Sequence, residues 1–194
     1  ARKLSSTSVI MGMAVGVDAG GNVYSTGYFD GTADFDPAAT NYFQAAIGNE
    51  DMYISKLNGS GDFVWAKIIN STGGDQGKAL SIGSSGNIYT TGIIGGTADF
   101  DPGPSTYTLS NPGAFVSILN PSGNFVNAIK VGTGGASSGS SIKLDSQGNI
   151  YTGGFYTLGT IDFDPGAGIF NLACSGATDG FVHKVHVCYN TSST

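Results

Sequence analysis

The chain of 194 residues contains 32 glycines, has only 11% charged residues and carries a formal net charge of −6. This glycine content excludes a protein of long helices, because glycine costs about 1 kcal/mol relative to alanine inside a helix. The 40% hydrophobic and 11% aromatic residues exclude a disordered chain, since they can bury a core. The acidic balance argues against a nucleic-acid partner, which would need a basic face. No apolar run approaches the ~20 residues of a membrane span.

One motif occurs three times and divides the chain into repeating units. Each copy begins with Gly-Asn-aliphatic-Tyr and continues through a Gly-Thr step into Asp-Phe-Asp-Pro. The tyrosines of the three copies, Tyr24, Tyr89 and Tyr151, are 65 and then 62 residues apart. Self-similarity at such a period predicts a repeat architecture. We therefore expect one repeat domain over residues 1–194, with units at about 12–70, 77–131 and 139–187.

Each unit predicts a series of antiparallel strands. In the first unit the expected strands are 14–17, a Gly-Asn-Val-Tyr strand from residue 21, 53–57 and 63–69. The second unit repeats them at 79–82, 87–94, 115–119 and 125–130, with turns that contain glycine or proline. The third unit reaches its third strand at 181–185, but the tail 188–194 is too short and polar to form a fourth. Four antiparallel strands per repeat are typical of β-propeller blades.

The missing fourth strand is predicted at the start of the chain. A step of 65 residues back from the fourth strand of the first unit ends at residues 1–4, which are Ala1, Arg2, Lys3 and Leu4. We therefore predict an all-β fold: a β-propeller-like array of three four-stranded antiparallel blades, with one blade split between N- and C-terminal strands. Propellers typically have about 4–8 blades, so we expect copies to complete one another by strand donation, as a ring or a filament. Alternatively, the chain is a fragment of a larger propeller.

The repeated motifs also carry a family resemblance. The pattern Asp-x-x-Gly-Asn-aliphatic-Tyr, then Asp-Phe-Asp-Pro, then Phe-Val-x-Lys-Leu and Trp-Ala-Lys resembles the bacterial SBBP β-propeller repeats, in a variant that contains Asp-Phe-Asp-Pro. The resemblance covers residues 1–187 and implies a secreted or cell-surface protein with no shared enzymatic activity. The second unit departs from the pattern, with Gly83 where the other units have Asp18 and Asp145, and with Asn127 where the first has Trp65.

Paired aspartates are the repeated ionisable pattern of the chain. In an extended segment, positions i and i+2 point to the same side, so each pair can present oxygens to a hard cation such as Ca²⁺, the one cofactor that the sequence suggests. The alternative is that the aspartates accept backbone N–H bonds in the turn, while the phenylalanine between them packs between blades. The predicted residues are Asp34 and Asp36, Asp99 and Asp101, and Asp162 and Asp164.

Three further residues allow two readings each. Cys174 and Cys188 are compatible with one disulfide, which an extracellular location would favour; the alternative is two buried thiols. Trp65 predicts packing between blades or, where its ring is exposed, a platform for a sugar.

The functional expectation is a non-enzymatic, extracellular or cell-surface protein with a structural or adhesive role, which assembles with copies of itself. The sequence contains no nucleophile elbow, zinc-ligand spacing or phosphate loop. The alternative is a carbohydrate-binding propeller, or a fragment of a polysaccharide hydrolase or lyase, with a polysaccharide as partner.

Overall fold

The computed structural model describes residues 1–38, 40–133, 136–157 and 159–187. These residues form eighteen β-strands and no helix. No helix in this described part is therefore long and apolar enough to cross a membrane. In chain order the strands are β1 (Ser5–Ser6), β2 (Ile10–Val17), β3 (Val23–Phe29), β4 (Thr32–Asp34), β5 (Phe43–Ala45), β6 (Asp51–Leu57), β7 (Phe63–Ile69), β8 (Gln76–Ile82), β9 (Ile88–Ile94), β10 (Ala98–Asp99), β11 (Thr108–Leu109), β12 (Gly113–Leu119), β13 (Phe125–Val131), β14 (Ala136–Leu144), β15 (Ile150–Thr157), β16 (Thr160–Asp162), β17 (Asn171–Ala173) and β18 (Asp179–Val185).

Three larger antiparallel sheets follow one another along the chain. The first sheet has the order β2-β3-β6-β7, the second β8-β9-β12-β13 and the third β14-β15-β18. Strand β8 lies against both β2 and β14, so the second sheet is packed between the other two. The architecture is all-β and consistent with a β-propeller-like fold.

The Asp-Phe-Asp-Pro segments form small ribbons outside the larger sheets. Strand β4 pairs with β5 and with β1, β10 pairs with β11, and β16 pairs with β17. Asn70 forms a bridge to Asp99, and Thr133 forms one to Asp162. The pairing of Ser5 in β1 with Asp34 repeats this arrangement in the first unit. Each ribbon is therefore joined to the segment that precedes its own unit.

The prediction of three four-stranded blades is wrong, because the third sheet has three strands within the described ranges. The predicted strand of Ala1, Arg2, Lys3 and Leu4 is not a strand within this chain, and these residues do not pair with β18. They lie instead beside the first unit, where Arg2 donates to backbone carbonyl oxygens of the turn after β6. A strand needs a neighbour that accepts its backbone hydrogen bonds, and at this position the neighbour would belong to another blade.

Apolar side chains fill the two spaces between the sheets. Strand β12 in the middle sheet is buried along its whole length, because both of its faces are covered. On β18, in contrast, buried and exposed positions alternate. Main contributors to the first space are Ile54, Ile69, Leu80, Phe100 and Phe115, and to the second Val116, Ile118, Ile142, Phe163 and Phe181.

Candidate functional site

The first aspartate of each Asp-Phe-Asp-Pro turn accepts two backbone N–H bonds through one carboxylate oxygen. The donors are two and eight residues further along the chain in all three units. The two bonds hold the strands of the ribbon together, because one donor follows its first strand and the other precedes its second strand. The bonds run to Asp34 from Asp36 (3.1 Å) and Tyr42 (2.9 Å), to Asp99 from Asp101 (3.0 Å) and Tyr107 (2.8 Å), and to Asp162 from Asp164 (3.0 Å) and Phe170 (2.8 Å).

The second aspartate caps the turn that follows. Asp36 accepts the N–H of Ala38 at 2.9 Å, Asp101 that of Gly103 at 2.8 Å, and Asp164 that of Gly166 at 2.7 Å. These are the bonds that the turn-capping alternative predicts. Calcium binding by the pairs stays a prediction; within the described ranges no three His, Cys, Asp or Glu side chains are grouped to hold a metal ion.

Backbone N–H donors also lower the pKa of the first aspartate in one of these turns. The N–H groups of Phe170 and then of Asp164 lower the pKa of the Asp162 carboxyl, because they stabilise its ionised form. Asp162 therefore remains a charged acceptor to a lower pH than an ordinary aspartate does.

The phenylalanine between the two aspartates anchors each ribbon to its sheet. Its ring stacks on an aromatic residue at the same position of the third strand in every unit. The ring centroids of Phe35 and Tyr53 are 5.1 Å apart, those of Phe100 and Phe115 are 5.0 Å apart, and those of Phe163 and Phe181 are 4.9 Å apart. Such pairs add about 0.5–1.5 kcal/mol beyond the burial of their area.

Asp18 and Asp145 close the first hairpin of their units. Asp145 accepts the amide side chain of Asn149 (2.6 Å), the backbone N–H groups of Gln147 and Asn149 (2.9 Å each) and the Tyr151 hydroxyl (3.1 Å). These bonds, led by the Asn149 amide, lower the pKa of Asp145 to about 2. Asp18 has the same set of partners in the first unit. Both aspartates therefore have a structural role as turn caps.

Trp65 and Cys174 occupy packing positions. The indole Nε1 of Trp65 donates to the carbonyl oxygen of Pro121 in the next unit at 3.2 Å, and its ring lies 6.1 Å from that of Tyr24. These contacts agree with the packing alternative rather than with a sugar platform. The thiol of Cys174 is 3.3 Å from the carbonyl oxygen of Gly176. Its predicted disulfide partner, Cys188, lies outside the described residues.

Two buried carboxylates, Asp51 and Asp75, were not singled out by the repeat pattern, because neither belongs to the repeated motif. Both are fully buried. Asp75 joins the first two units, since one of its oxygens accepts the Ser71 hydroxyl and the backbone N–H of Gly95 at 2.9 Å each. Burial, with a smaller contribution from the charge of Asp51, raises the pKa of Asp75 to about 6.

This raised pKa predicts a specific pH dependence of stability. The folded protein retains a proton on Asp75 that the unfolded chain releases above about pH 4, so stability falls as the pH rises from about 4 to about 6. Asp75→Asn removes this contribution. Between pH 4 and pH 7 the unfolding free energy of the variant should gain about 2 kcal/mol relative to that of the wild type, measured by urea titrations. Parallel pH profiles of the two proteins would contradict the expectation.

The first sheet exposes a row of apolar side chains on β2. Val15 is 68% exposed, although it corresponds in register to Leu80 of β8, which is buried against the first sheet. The part of the chain that the structure describes places no sheet before the first one, so the β2 face of the first sheet is open. The exposed apolar residues of this face are Val15 and Val17; Met11 is exposed on the opposite face, because the irregularity between Gly12 and Ala14 reverses the alternation of side chains.

The third sheet has a second open face, at the other end of the array. Val182 of β18 is 85% exposed, whereas its counterparts Ile54 and Val116 are fully buried by the sheet that follows theirs. A groove of about 360 Å³ lies beside the free edge of β18, between this strand and the ribbon of the third unit. Its apolar lining is formed by Phe163, Pro165, Phe170, Leu172, Phe181 and Val182.

Comparison with known proteins agrees with the architecture. No family model matches the chain. A curated relative, an uncharacterized WD repeat-containing protein of Acanthamoeba polyphaga mimivirus, is 24% identical over 236 residues, which cover 100% of this chain and 17% of the relative. WD repeats are four-stranded propeller blades. The similarity and the stacked antiparallel sheets together indicate a β-propeller-like repeat fold.

Proposed function

We propose that this chain is a non-enzymatic, structural unit of an extracellular or cell-surface assembly, in which copies associate through the two open faces of the array. The assignment to SBBP-type repeats is part of the same proposal and rests on the motif pattern. The observation that carries the proposal is the contrast between Val182, which is 85% exposed, and its fully buried counterpart Val116.

Covering the apolar side chains of the two open faces is favourable in free energy. Burying a valine- or leucine-sized side chain contributes about 1.5–3 kcal/mol, and both faces present such side chains, Val15 and Val17 on one and Val182 on the other. Exposed apolar patches of this kind commonly mark interaction sites. The covering surface is predictable, because inside the chain the side that Val182 occupies always meets the first strand of the next sheet. The β2 face of a second copy supplies such a strand.

A polar contact inside the chain supports the same arrangement. Lys56 of β6 donates through Nζ to the carbonyl oxygen of Pro121 in the next unit at 3.1 Å. Lys184 occupies the corresponding position of β18 and lies over the Tyr151 ring, as Lys56 lies over Tyr24. With a second copy in the place of the next unit, Lys184 would face the turn that begins at Asn58.

The N-terminal residues follow the path of a fourth strand from a preceding blade. The Arg2 side chain lies against Gly61, as that of Lys67 lies against Gly123 in the next unit. Leu4 packs against the cluster that contains Phe35. A neighbouring copy that places its β18 beside residues 1–4 would therefore gain strand pairing on its free edge. Such head-to-tail contacts close into a ring or continue as a filament, depending on the rotation between copies.

Light scattering over a range of concentrations tests the proposal. The wild-type mass should rise with concentration, whereas Val182→Asp should remain at the 19.7 kDa of one chain, because a buried, unpaired carboxylate opposes association. Phe43→Asn is the matched control: Phe43 is 59% exposed, but its counterparts Thr108 and Asn171 are polar, so it lies outside the contacts between units. A monomeric wild type, or equal association of both variants, would contradict the proposal.

A further inference from the structure

We infer that the free edge of β18 and its groove form a binding site for an extended polypeptide segment with the pattern aromatic-x-x-small-x-x-aliphatic. Among the described residues the edge is open, so the inference goes beyond the association of copies and does not depend on it. The first two units show, position by position, what such a segment has to provide.

The aromatic position is defined by a ring stack that the third unit leaves incomplete. Phe63 at the start of β7 stacks on Tyr42, and Phe125 at the start of β13 stacks on Tyr107, with ring centroids 4.8 Å apart in both pairs. Phe170 holds the corresponding ribbon position, because its N–H donates to Asp162 as that of Tyr42 does to Asp34. The Phe170 ring is 61% exposed at the wall of the groove.

The small and the aliphatic positions follow from register. Ala66 of β7 is paired with Ser55, and Ala128 of β13 is paired with Ser117; both alanines are almost completely buried. His183 of β18 corresponds to these serines and is itself buried, so a bulky residue opposite it would clash. Three positions further, Ile69 and Val131 close the first two sheets and are fully buried. The strands β7 and β13 therefore share one pattern, Phe63-x-x-Ala66-x-x-Ile69 and Phe125-x-x-Ala128-x-x-Val131.

Residues 1–4 carry the small position, Ala1, and the aliphatic position, Leu4, of this pattern. Residues 1–4 of a neighbour, with Leu4 at the position of Ile69, would cover β18 only from Gly180 to His183 and leave the Phe170 ring free. The inferred occupant is therefore a segment that carries an aromatic residue at its first position as well.

The backbone of β18 supports strand addition. This strand pairs with β15 along one edge, and the described residues place no strand on its other edge. An added extended segment would satisfy these N–H and C=O groups, and the side-chain pockets would provide selectivity.

The test uses a peptide with the sequence of residues 62–70, labelled with a fluorophore, and the full-length Val15→Asp variant, in which association through the β2 face is disabled. Fluorescence anisotropy should show saturable binding. The F63A peptide should bind roughly tenfold more weakly, because it loses the ring stack and its buried area. Phe170→Ala in the protein should weaken binding of the unmodified peptide similarly, whereas Phe43→Ala should leave it unchanged. The A66K peptide should not bind.

Equal binding of the unmodified and F63A peptides, or binding that Phe170→Ala does not affect, would overturn the inference. So would the absence of binding. Because the peptide assay uses a variant that does not associate, its failure leaves the light-scattering result on wild-type copies standing. Conversely, binding of the peptide by a chain that is always monomeric would support this inference and contradict the proposed association.

Discussion

An equimolar mixture of Val15→Asp and Val182→Asp should form a complex of two chains and nothing larger, while each variant alone stays monomeric. The reason is that the proposed contact joins two different faces. Val15→Asp disables the β2 face and keeps the β18 face, whereas Val182→Asp does the opposite. One intact face of each kind remains in the mixture, so a single contact can form and cannot be extended.

Light scattering and analytical ultracentrifugation of the mixture would check this result, with an expected mass of twice the 19.7 kDa of one chain. Phe43→Asn mixed with either variant serves as the control, because it retains both faces and should form larger species. A two-chain complex in either variant alone would mean that the contact uses the same face twice. That outcome would exclude head-to-tail association.

Phe100→Ala should lower the free energy of unfolding by about 3–5 kcal/mol. The Phe100 ring is fully buried between the first and second sheets and stacks on Phe115 at 5.0 Å. Its removal leaves a cavity in a space that both sheets line, and neither sheet can close it without losing register. Phe170→Ala removes the same atoms from an exposed position and should change stability by about 0.5 kcal/mol or less.

Guanidinium titrations in the Val182→Asp background would measure both effects without interference from association. Trp65 is the single tryptophan of the chain, and it packs against the second unit. Its fluorescence therefore reports loss of the contact between the first two sheets. Similar stability losses for Phe100→Ala and Phe170→Ala would show that the anchoring of the ribbons is not what holds these sheets together.

The sequence predicted the larger strands well because each carries its own signal. The strands β9, β12 and β13 fall where aliphatic and aromatic runs lie between glycine-containing turns. The strand content of the third sheet was predicted incorrectly, since the assignment of residues 1–4 rested on repeat spacing. Repeat spacing shows which positions are equivalent, but it does not show whether a pairing partner is present.

The aspartates show the same limit of prediction from sequence within the candidate sites. As a sequence pattern, two carboxylates at positions i and i+2 are equally compatible with a cation site and with turn capping. The register of the ribbon places the N–H of Tyr42 on Asp34, eight residues away, and this long-range pairing is not contained in the local pattern. Asp75 lies outside the repeated motif, and its bond from the N–H of Gly95, twenty residues away, is again not contained in the local pattern.

The bridges that join each ribbon to the preceding segment make the unfolding of this array directional. Asn70 ends the first unit but completes the ribbon of the second, and Thr133 does the same for the third. Loss of one unit therefore frays the ribbon of its successor, whereas its predecessor keeps all of its own strands. In hydrogen exchange, the amides of a ribbon should open together with the unit before it, so a terminal deletion of the first unit should be more damaging than one of the last.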